Sequence, residues 1–213
     1  MLKNIVVLVS GGGTNLQALL DAQARGELPG GKIAAVISSK EGAYALERAA
    51  KASVPGFVVA KKDYPDHRSY SLALLDKCQS LKADLIILAG FMHILTSEFI
   101  DAYENAILNV HPALIPSFCG EGFYGLHVHE KALEYGVKVT GATVHFVTAE
   151  PDGGPVIAQK AVDIHEDDTP QTLQRRVMEE AEWQLLPQAA ALFCQGRLKV
   201  EGRQVHILEE ETL

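Results

Sequence analysis

The sequence predicts an α/β protein whose sheet is mostly parallel, doubly wound in the Rossmann-like manner, and covered by helices on both faces. Apolar, β-branched segments alternate with segments in which leucines recur at helical spacing, and this alternation is typical of a parallel sheet. The strand segments are apolar along their whole length, as expected for strands buried on both faces. With 213 residues, 47% of them hydrophobic, and no linker or internal repeat, residues 1–213 are expected to form a single domain.

The first hundred residues contain four strand segments separated by helices. "NIVVLV" is followed by a glycine-rich turn and a helix in which Leu16, Leu19 and Leu20 share one face. The remaining elements repeat the pattern: strands are predicted at 32–38, 56–60 and 83–90, and helices at 42–53 and 66–82.

After Gly90 the pattern changes. A short helix is predicted at 96–104, a strand at 106–110 ("AILNV"), a loop at 112–125 and a helix near 129–136. The segments 137–148 and 154–164 indicate a hairpin-like antiparallel addition to the sheet. A long helical segment at 169–196 opens at Thr169 with Pro170 in its first turn, and Pro187 is expected to mark a bend.

Charge and composition exclude several classes of function. A net charge of −8 argues against nucleic-acid binding, which depends on Lys and Arg neutralising phosphates. No apolar segment approaches the roughly 20 residues needed to cross a bilayer, so no membrane association is expected. The amino-terminal segment lacks the features of a signal peptide, which predicts a cytoplasmic protein. The three cysteines are widely spaced and odd in number, which fits neither a disulfide framework nor a zinc site.

The segment "SGGGTN" (10–15) lies between a buried strand and a helix. Free backbone N–H groups and the helix dipole favour an anion at such a place, and Thr14 and Asn15 add polar side chains. The segment matches neither the Walker loop nor G-x-G-x-x-G. It is interpreted as a phosphate site without a cationic side chain, the alternative being a purely structural turn.

Three further segments lie at predicted strand ends or in a turn. "ILAGFMHIL" (87–95) ends a strand and stays apolar, which is consistent either with core or with a flat pocket at the carboxyl edge of the sheet. In "NVHP", Asn109 and His111 share one face of an extended chain. The turn "DGG" exposes Asp152, whose carboxylate would orient the His111 imidazole and favour its protonated form if the two lie close together.

Metal and serine chemistry find little support in the sequence. His127 and His129 diverge around a helix, and no Cys or H-E-x-x-H spacing accompanies them. Ser10 does not lie in a G-x-S-x-G elbow. No metal is therefore expected.

Several of these segments together resemble a known family. "VLVSGGGTNLQALLDA", "LAGFMHIL", "NVHPALIPSF", "HEKAL", "VTGATVHFV" and "DGGPVI", in this order, resemble the 10-formyltetrahydrofolate-dependent formyltransferases over roughly residues 3–203. The glycine-rich loop is similar to that of the branch acting on 5-phosphoribosylglycinamide (GAR), phosphoribosylglycinamide formyltransferase. The resemblance places phosphate binding in the first half, about 1–100, and folate binding and catalysis in the second, about 101–213.

The resemblance implies a role for each candidate site residue. These roles are catalysis by Asn109, His111 and Asp152; binding of the GAR phosphate and ribose by Gly13, Thr14, Asn15 and Glu182; and binding of folate by Arg68, Met92, His93, Ile94, Leu95 and Asn109.

The implied reaction moves a formyl group from 10-formyltetrahydrofolate to the GAR amine in purine biosynthesis, directly and without a metal. Its implied partners are these two small molecules, and a monomer or a homodimer is expected. The alternatives are a 10-formyltetrahydrofolate hydrolase, a non-catalytic nucleotide- or folate-binding module, and a tRNA-directed formyltransferase, which the acidic charge disfavours.

The chain departs from the family pattern at four places. His93 replaces a common Arg, and "CGEGFYG" (119–125) is longer than the usual loop. Trp183 follows Glu182 where relatives commonly have His, and Glu179 takes the place of a Lys found in some relatives, which would remove a cation near the phosphate.

Overall fold

Five parallel strands form the first part of a seven-stranded sheet in the computed structural model, which describes residues 2–209. Two antiparallel strands complete the sheet. The strands are β1 (Lys3–Val9), β2 (Gly31–Ser38), β3 (Gly56–Val58), β4 (Leu85–Leu88), β5 (Ile107–His111), β6 (Val139–Phe146) and β7 (Val156–Asp163), and their spatial order is β3-β2-β1-β4-β5-β6-β7. The predicted fold class is confirmed.

Seven α-helices connect and cover these strands. They are α1 (Thr14–Ala24), α2 (Tyr44–Lys51), α3 (His67–Ser80), α4 (Ser97–Ala102), α5 (Leu126–Tyr135), α6 (Pro170–Val177) and α7 (Trp183–Cys194). A short 3₁₀ turn lies at Lys61–Asp63. Helix α5 begins three residues earlier than the sequence predicts, and β5 extends to include His111.

The side chains of β1 alternate between two hydrophobic cores. Ile5, Val7 and Val9 belong to the core shared with α1, α2, α6 and α7, whereas Val6 and Leu8 pack in the core shared with α3 and α4. A strand buried on both faces needs apolar residues at every position. This requirement explains the uninterrupted apolar segment "NIVVLV".

The strand order reverses direction beside β1, which lies between β2 and β4. In open α/β sheets, the loops leaving the two strands at such a point diverge and leave a crevice at the carboxyl ends. The glycine-rich loop follows β1, the segment 89–96 follows β4, and His111 ends β5. The fold therefore brings the three candidate segments to one edge.

The carboxyl-terminal third differs in detail from the predicted helix at 169–196. Thr169 caps α6, and its hydroxyl accepts a hydrogen bond from the N–H of Thr172. The helix is then interrupted by a π-helical segment at Met178–Glu182, while α7 continues through Pro187. The long helix is therefore interrupted at the π-helical segment, not at Pro187 as the sequence predicts. A hairpin of β8 (Leu198–Glu201) and β9 (Gln204–Ile207), which the sequence analysis did not predict, follows.

Across the described part of the chain, none of the helices is both long enough and apolar enough to cross a membrane.

A paired Asp–Arg contact holds the start of α6 and generates a stability prediction. Both Asp168 oxygens accept hydrogen bonds from Arg176, at 2.6 and 2.7 Å, and the Asp168 side chain is only 2% exposed. The Arg176 guanidinium holds the pKa of Asp168 well below its usual value. We expect Asp168→Asn to lower the free energy of unfolding by about 1.5–3 kcal/mol at neutral pH, since hydrogen bonds to charged groups contribute about that much.

Because the folded-state pKa is depressed, this contribution is fully present above the unfolded-state pKa of about 3.9 and is lost as pH falls through the folded-state value. Urea denaturation at neutral and acidic pH measures it, with the neighbouring exposed Asp167→Asn as control. Equal stability of Asp168→Asn and wild type at pH 7 would contradict the prediction.

Candidate active site

A cavity of about 840 Å³ opens at the carboxyl ends of β1, β4 and β5. Eleven of the twelve residues to which the resemblance assigns roles line it, whereas Arg68 does not. The eleven are Gly13, Thr14, Asn15, Met92, His93, Ile94, Leu95, Asn109, His111, Asp152 and Glu182, and Gly11 and Gly12 of the loop also line the cavity.

The glycine-rich loop takes a shape that only glycine allows at one position. Gly13 has φ 73°, in the left-handed region, and a Cβ there would lie 2.7 Å from the Cβ of Ala45. Helix α1 begins at Thr14, so the first N–H groups of α1, which have no partner within the helix, lie beside the cavity. This geometry is suited to an anion.

Arg48 lies behind the glycine-rich loop, where the sequence predicted no cation. Its Nε–H donates to the Gly12 carbonyl at 2.8 Å, and Nη1 donates to Gln17 at 2.9 Å. The Arg48 guanidinium therefore stabilises the glycine-rich loop from outside the cavity. The Ser10 hydroxyl accepts from the Met92 N–H at 3.0 Å, which ties this loop to the segment after β4.

Asn15 and Glu182 meet in the cavity wall across 167 residues of sequence. The Asn15 amide donates to Glu182 Oε2 at 2.7 Å, and the Glu182 side chain is buried. Within residues 2–209, Glu182 Oε1 and Asn15 Oδ1 have no hydrogen-bond partner. Burial raises the pKa of Glu182 to about 7, although the Asn15 hydrogen bond lowers it. Two buried polar atoms thus remain available to a ligand.

Asp152 lies at the centre of the three predicted catalytic residues. Its Oδ2 is 3.4 Å from His111 Nδ1 and accepts the Gly120 N–H at 2.9 Å, while its Oδ1 is 3.5 Å from Asn109 Nδ2 and from His145 Nε2. The predicted convergence of Asn109, His111 and Asp152 is therefore present.

Both ring nitrogens of His111 have acceptors nearby. Nε2 lies 2.8 Å from the Phe118 carbonyl, to which it donates, and Nδ1 faces Asp152. Burial lowers the pKa of His111, and this effect exceeds the opposite effects of the Asp152 charge and the Phe118 carbonyl. The sequence analysis anticipated the contribution of Asp152 but not the larger effect of burial.

The pKa of Asp152 lies below its usual value. Burial alone would raise it, but the interactions with His145, His111 and the Gly120 N–H outweigh burial. Asp152 is consequently an anion at neutral pH.

His145 orients the Asn109 amide. His145 Nδ1 donates to the Phe146 carbonyl at 2.9 Å, and its Nε2 lies 3.5 Å from Asp152 Oδ1. Asn109 Nδ2 lies 3.2 Å from that nitrogen. The Asn109 amide nitrogen therefore lies between His145 and Asp152, with a long hydrogen bond of 3.5 Å to Asp152 Oδ1.

The turn that carries Asp152 requires unusual backbone geometry. Asp152 has φ 52°, a left-handed conformation that Asp tolerates better than most residues. A Cβ at Gly154 would overlap the Phe146 carbonyl. The turn "DGG" therefore allows the Asp152 carboxylate to lie beside the carboxyl end of β5.

Some residues with assigned or suspected roles lie elsewhere. Arg68 is exposed and pairs with Glu98 at 2.6 Å, and Glu179 pairs with Arg175 at 2.7 Å. His93 borders the cavity, with its ring edge-on to Tyr70, and burial lowers its pKa.

The sequence analysis gave no role to His129, although it borders the cavity. His129 is fully buried, and neither ring nitrogen has a partner within residues 2–209. Burial, and secondarily the charge of His111, lower its pKa to about 4. Its helical position alone did not distinguish it from the exposed His127.

No group of three or more His, Cys, Asp or Glu side chains suited to a metal ion occurs among residues 2–209. The absence of a metal remains a prediction.

The fold and the cavity define a class of protein: an α/β protein with a glycine-rich loop whose geometry is suited to an anion, and an Asn-His-Asp set at one sheet edge. The sequence profile of the formyl transferase family matches residues 3–190. The chain belongs to the formyl transferase family.

Individual relatives give the same result. The chain is 40% identical to the phosphoribosylglycinamide formyltransferase of Haemophilus influenzae, over 97% of this chain and 94% of that protein. It is similar to the crystal structure of glycinamide ribonucleotide transformylase 1 from Symbiobacterium toebii, with a TM-score of 0.92, 45% identity, and coverage of 98% and 95% of the two chains. A formyltetrahydrofolate deformylase from Pseudomonas syringae is more distant, with a TM-score of 0.87, 25% identity, and coverage of 98% and 67%.

The raised pKa of Glu182 predicts a pH-dependent stability. Because the folded-state pKa, about 7, exceeds the unfolded value of about 4.3, the neutral carboxyl stabilises the fold fully below pH 4.3, and this contribution is lost as pH rises through 7. We expect the stability of wild type relative to Glu182→Gln to fall by roughly 3 kcal/mol across that window. Urea denaturation between about pH 4.5 and pH 8 measures it, with exposed Glu180→Gln as control. A pH-independent difference between wild type and Glu182→Gln would refute it.

A second prediction concerns His111. Since the Asp152 charge raises the pKa of His111, we expect Asp152→Asn to lower that pKa further. NMR titration of the His111 ring protons measures the change, and Glu121→Gln in the exposed part of the loop is the matched control. An unchanged or higher His111 pKa in Asp152→Asn would show that the carboxylate is not coupled to the ring.

Proposed function

We propose that the protein transfers the formyl group of 10-formyltetrahydrofolate to the amine of GAR, giving N-formyl-GAR and tetrahydrofolate in de novo purine biosynthesis. The observation that carries the proposal is the convergence of Asn109, His111 and Asp152 within 3.5 Å, in a cavity that also includes the glycine-rich loop. The names of the Haemophilus influenzae and Symbiobacterium toebii relatives support the choice of acceptor.

GAR, the formyl acceptor, would lie on the side of the cavity formed by the loop between β1 and α1. Its phosphate would accept hydrogen bonds from the backbone at Gly13 and Thr14, where α1 begins. Its ribose hydroxyls would donate to the unpartnered oxygens of Asn15 and Glu182. Hydrogen bonds from hydroxyls to Glu182 favour its ionised form, so binding of GAR would lower the pKa of that residue.

The folate would lie against the apolar segment from Met92 to Leu95. Open α/β sheets bind ligands at this edge, and the exposed side chains of Met92 and Ile94 offer apolar area to a flat ring. Arg68 would bind the carboxylate tail only by exchanging its present partner, Glu98.

The chemistry begins when the unprotonated GAR amine attacks the formyl carbon on N10. A tetrahedral intermediate forms, and the formyl oxygen becomes an oxyanion. The Asn109 amide would donate to that oxygen in place of its long hydrogen bond to Asp152, and a protonated His111 would lower the energy of the negative charge. Direct donation by His111 requires the oxyanion to replace the Phe118 carbonyl as the acceptor at Nε2.

The intermediate collapses when the C–N10 bond breaks. The attacking nitrogen must lose a proton and N10 must gain one, so no net proton is consumed. Asp152, ionised and hydrogen-bonded to the Gly120 N–H, would stabilise His111 as a cation while a water carries the proton between the two nitrogens. No metal is part of this proposal, and a cytoplasmic monomer or homodimer remains the expectation.

Mixing the protein with GAR and 10-formyltetrahydrofolate, and following tetrahydrofolate and N-formyl-GAR, tests the proposal. We expect both products in equal amounts and no reaction when GAR is omitted. The alternative acceptor is water, as the name of the deformylase relative indicates for that protein. Release of formate at the same rate with and without GAR would overturn the proposed transfer in favour of hydrolysis.

The role of Asn109 yields a separate prediction. We expect Asn109→Leu to lower kcat by about 10²–10³, the usual effect of removing one oxyanion donor. Steady-state kinetics with both substrates measures it, and His206→Ala on the remote β8–β9 hairpin is the control. A kcat within a factor of two of wild type would exclude Asn109 from oxyanion stabilisation.

A further inference from the structure

Three large apolar side chains remain exposed around the cavity, and we call them the outer rim. Met92 is 53% exposed, Ile94 63% and Tyr124 61%. They come from two distant segments and line the same cavity, whereas Leu95, which also lines it, is only 5% exposed. Large exposed apolar groups around a concave site indicate a surface that binds a ligand.

The loop that carries Tyr124 is anchored by its neighbours. The Phe123 ring packs 6.3 Å from Phe118 and 6.2 Å from His127, and its N–H donates to the Gly120 carbonyl at 3.1 Å. Among residues 2–209, Tyr124 takes no part in such ring contacts. Phe123 thus holds the loop against α5, and Tyr124 is left at the cavity.

The same loop is hydrogen-bonded to the catalytic residues. The Phe118 carbonyl accepts from His111, and the Gly120 N–H donates to Asp152. These contacts fix the loop relative to the place where the formyl group reacts. Tyr124, four residues beyond Gly120, lines the same cavity as these catalytic residues.

The chemical structure of 10-formyltetrahydrofolate indicates which of its two flat groups would lie beside Tyr124. N10 joins the pterin to the p-aminobenzoyl ring, so these two flat groups extend on opposite sides of the reacting formyl group. The more buried part of the apolar wall, including Leu95, suits the pterin. The benzoyl ring, which continues into a charged tail that needs solvent, must lie toward the exposed outer rim.

We propose that Tyr124 is a specificity-determining residue that contacts the p-aminobenzoyl ring, opposite Met92 and Ile94. The proposal rests on the proposed function, because that function supplies the ligand. An aromatic side chain brings a large contact area and prefers offset or edge-on contact with another ring. Its hydroxyl can remain in water at the cavity opening. The lengthened segment 119–125 thereby adds a wall to the donor site.

Calorimetric titration with tetrahydrofolate tests the proposal. We expect Tyr124→Ala to weaken binding roughly 10-fold, the scale of one lost aromatic contact, and to raise KM for 10-formyltetrahydrofolate similarly. Tyr124→Phe keeps the ring and should stay within twofold of wild type. Ile207→Ala, at an exposed apolar side chain of β9 that does not line the cavity, is the control. The kcat and the KM for GAR should be unchanged in all three variants.

Two fragments locate the contact. We expect p-aminobenzoylglutamate to compete less well in Tyr124→Ala than in wild type, and 6-methyltetrahydropterin to compete equally in both. Equal tetrahydrofolate affinity of Tyr124→Ala and wild type would overturn the inference, as would an equal loss for both fragments. If wild type itself binds no tetrahydrofolate, the proposed function fails; if wild type binds and turns over while Tyr124→Ala is unaffected, only this inference fails.

Discussion

The geometry of the site depends on one partly buried carboxylate. Asp152, on the turn between β6 and β7, contacts Asn109 and His111 at the end of β5 and accepts the N–H of Gly120 in the following loop. The turn that carries Asp152 is thus joined by a single charged group to the end of β5 and to the loop that follows it. Because hydrogen bonds to an ionised group are stronger than neutral ones, this carboxylate can position the loop as well as the imidazole.

Burial and charge act against one another throughout the cavity. At His111 burial exceeds the attraction of Asp152 and lowers the pKa, whereas at Asp152 the surrounding groups exceed burial and keep the carboxylate ionised. Glu182, which is buried and accepts a hydrogen bond from Asn15, has a raised pKa. A ligand that supplies hydrogen bonds or charge changes this balance, so protonation in the cavity is coupled to binding.

Much of the site follows from local sequence patterns, and the remainder depends on contacts distant in sequence. The apolar strands and the i, i+2 spacing of Asn109 and His111 predict the sheet edge and the shared face. The acceptors of the His111 ring could not be predicted in the same way, because the Phe118 carbonyl takes its place only when the loop folds. Likewise, nothing near Glu182 in the sequence indicates its contact with Asn15, and the hairpin at 198–207 lacked a strong local signal.

Hydrogen–deuterium exchange at the Gly120 amide tests most directly whether Asp152 holds the loop on the catalytic residues. We expect slow exchange in the wild-type protein and exchange at least about tenfold faster in Asp152→Ala, since opening of the loop then no longer breaks a charge-assisted hydrogen bond. Equal exchange rates in the two proteins would contradict it, because the loop would then keep its position without the carboxylate.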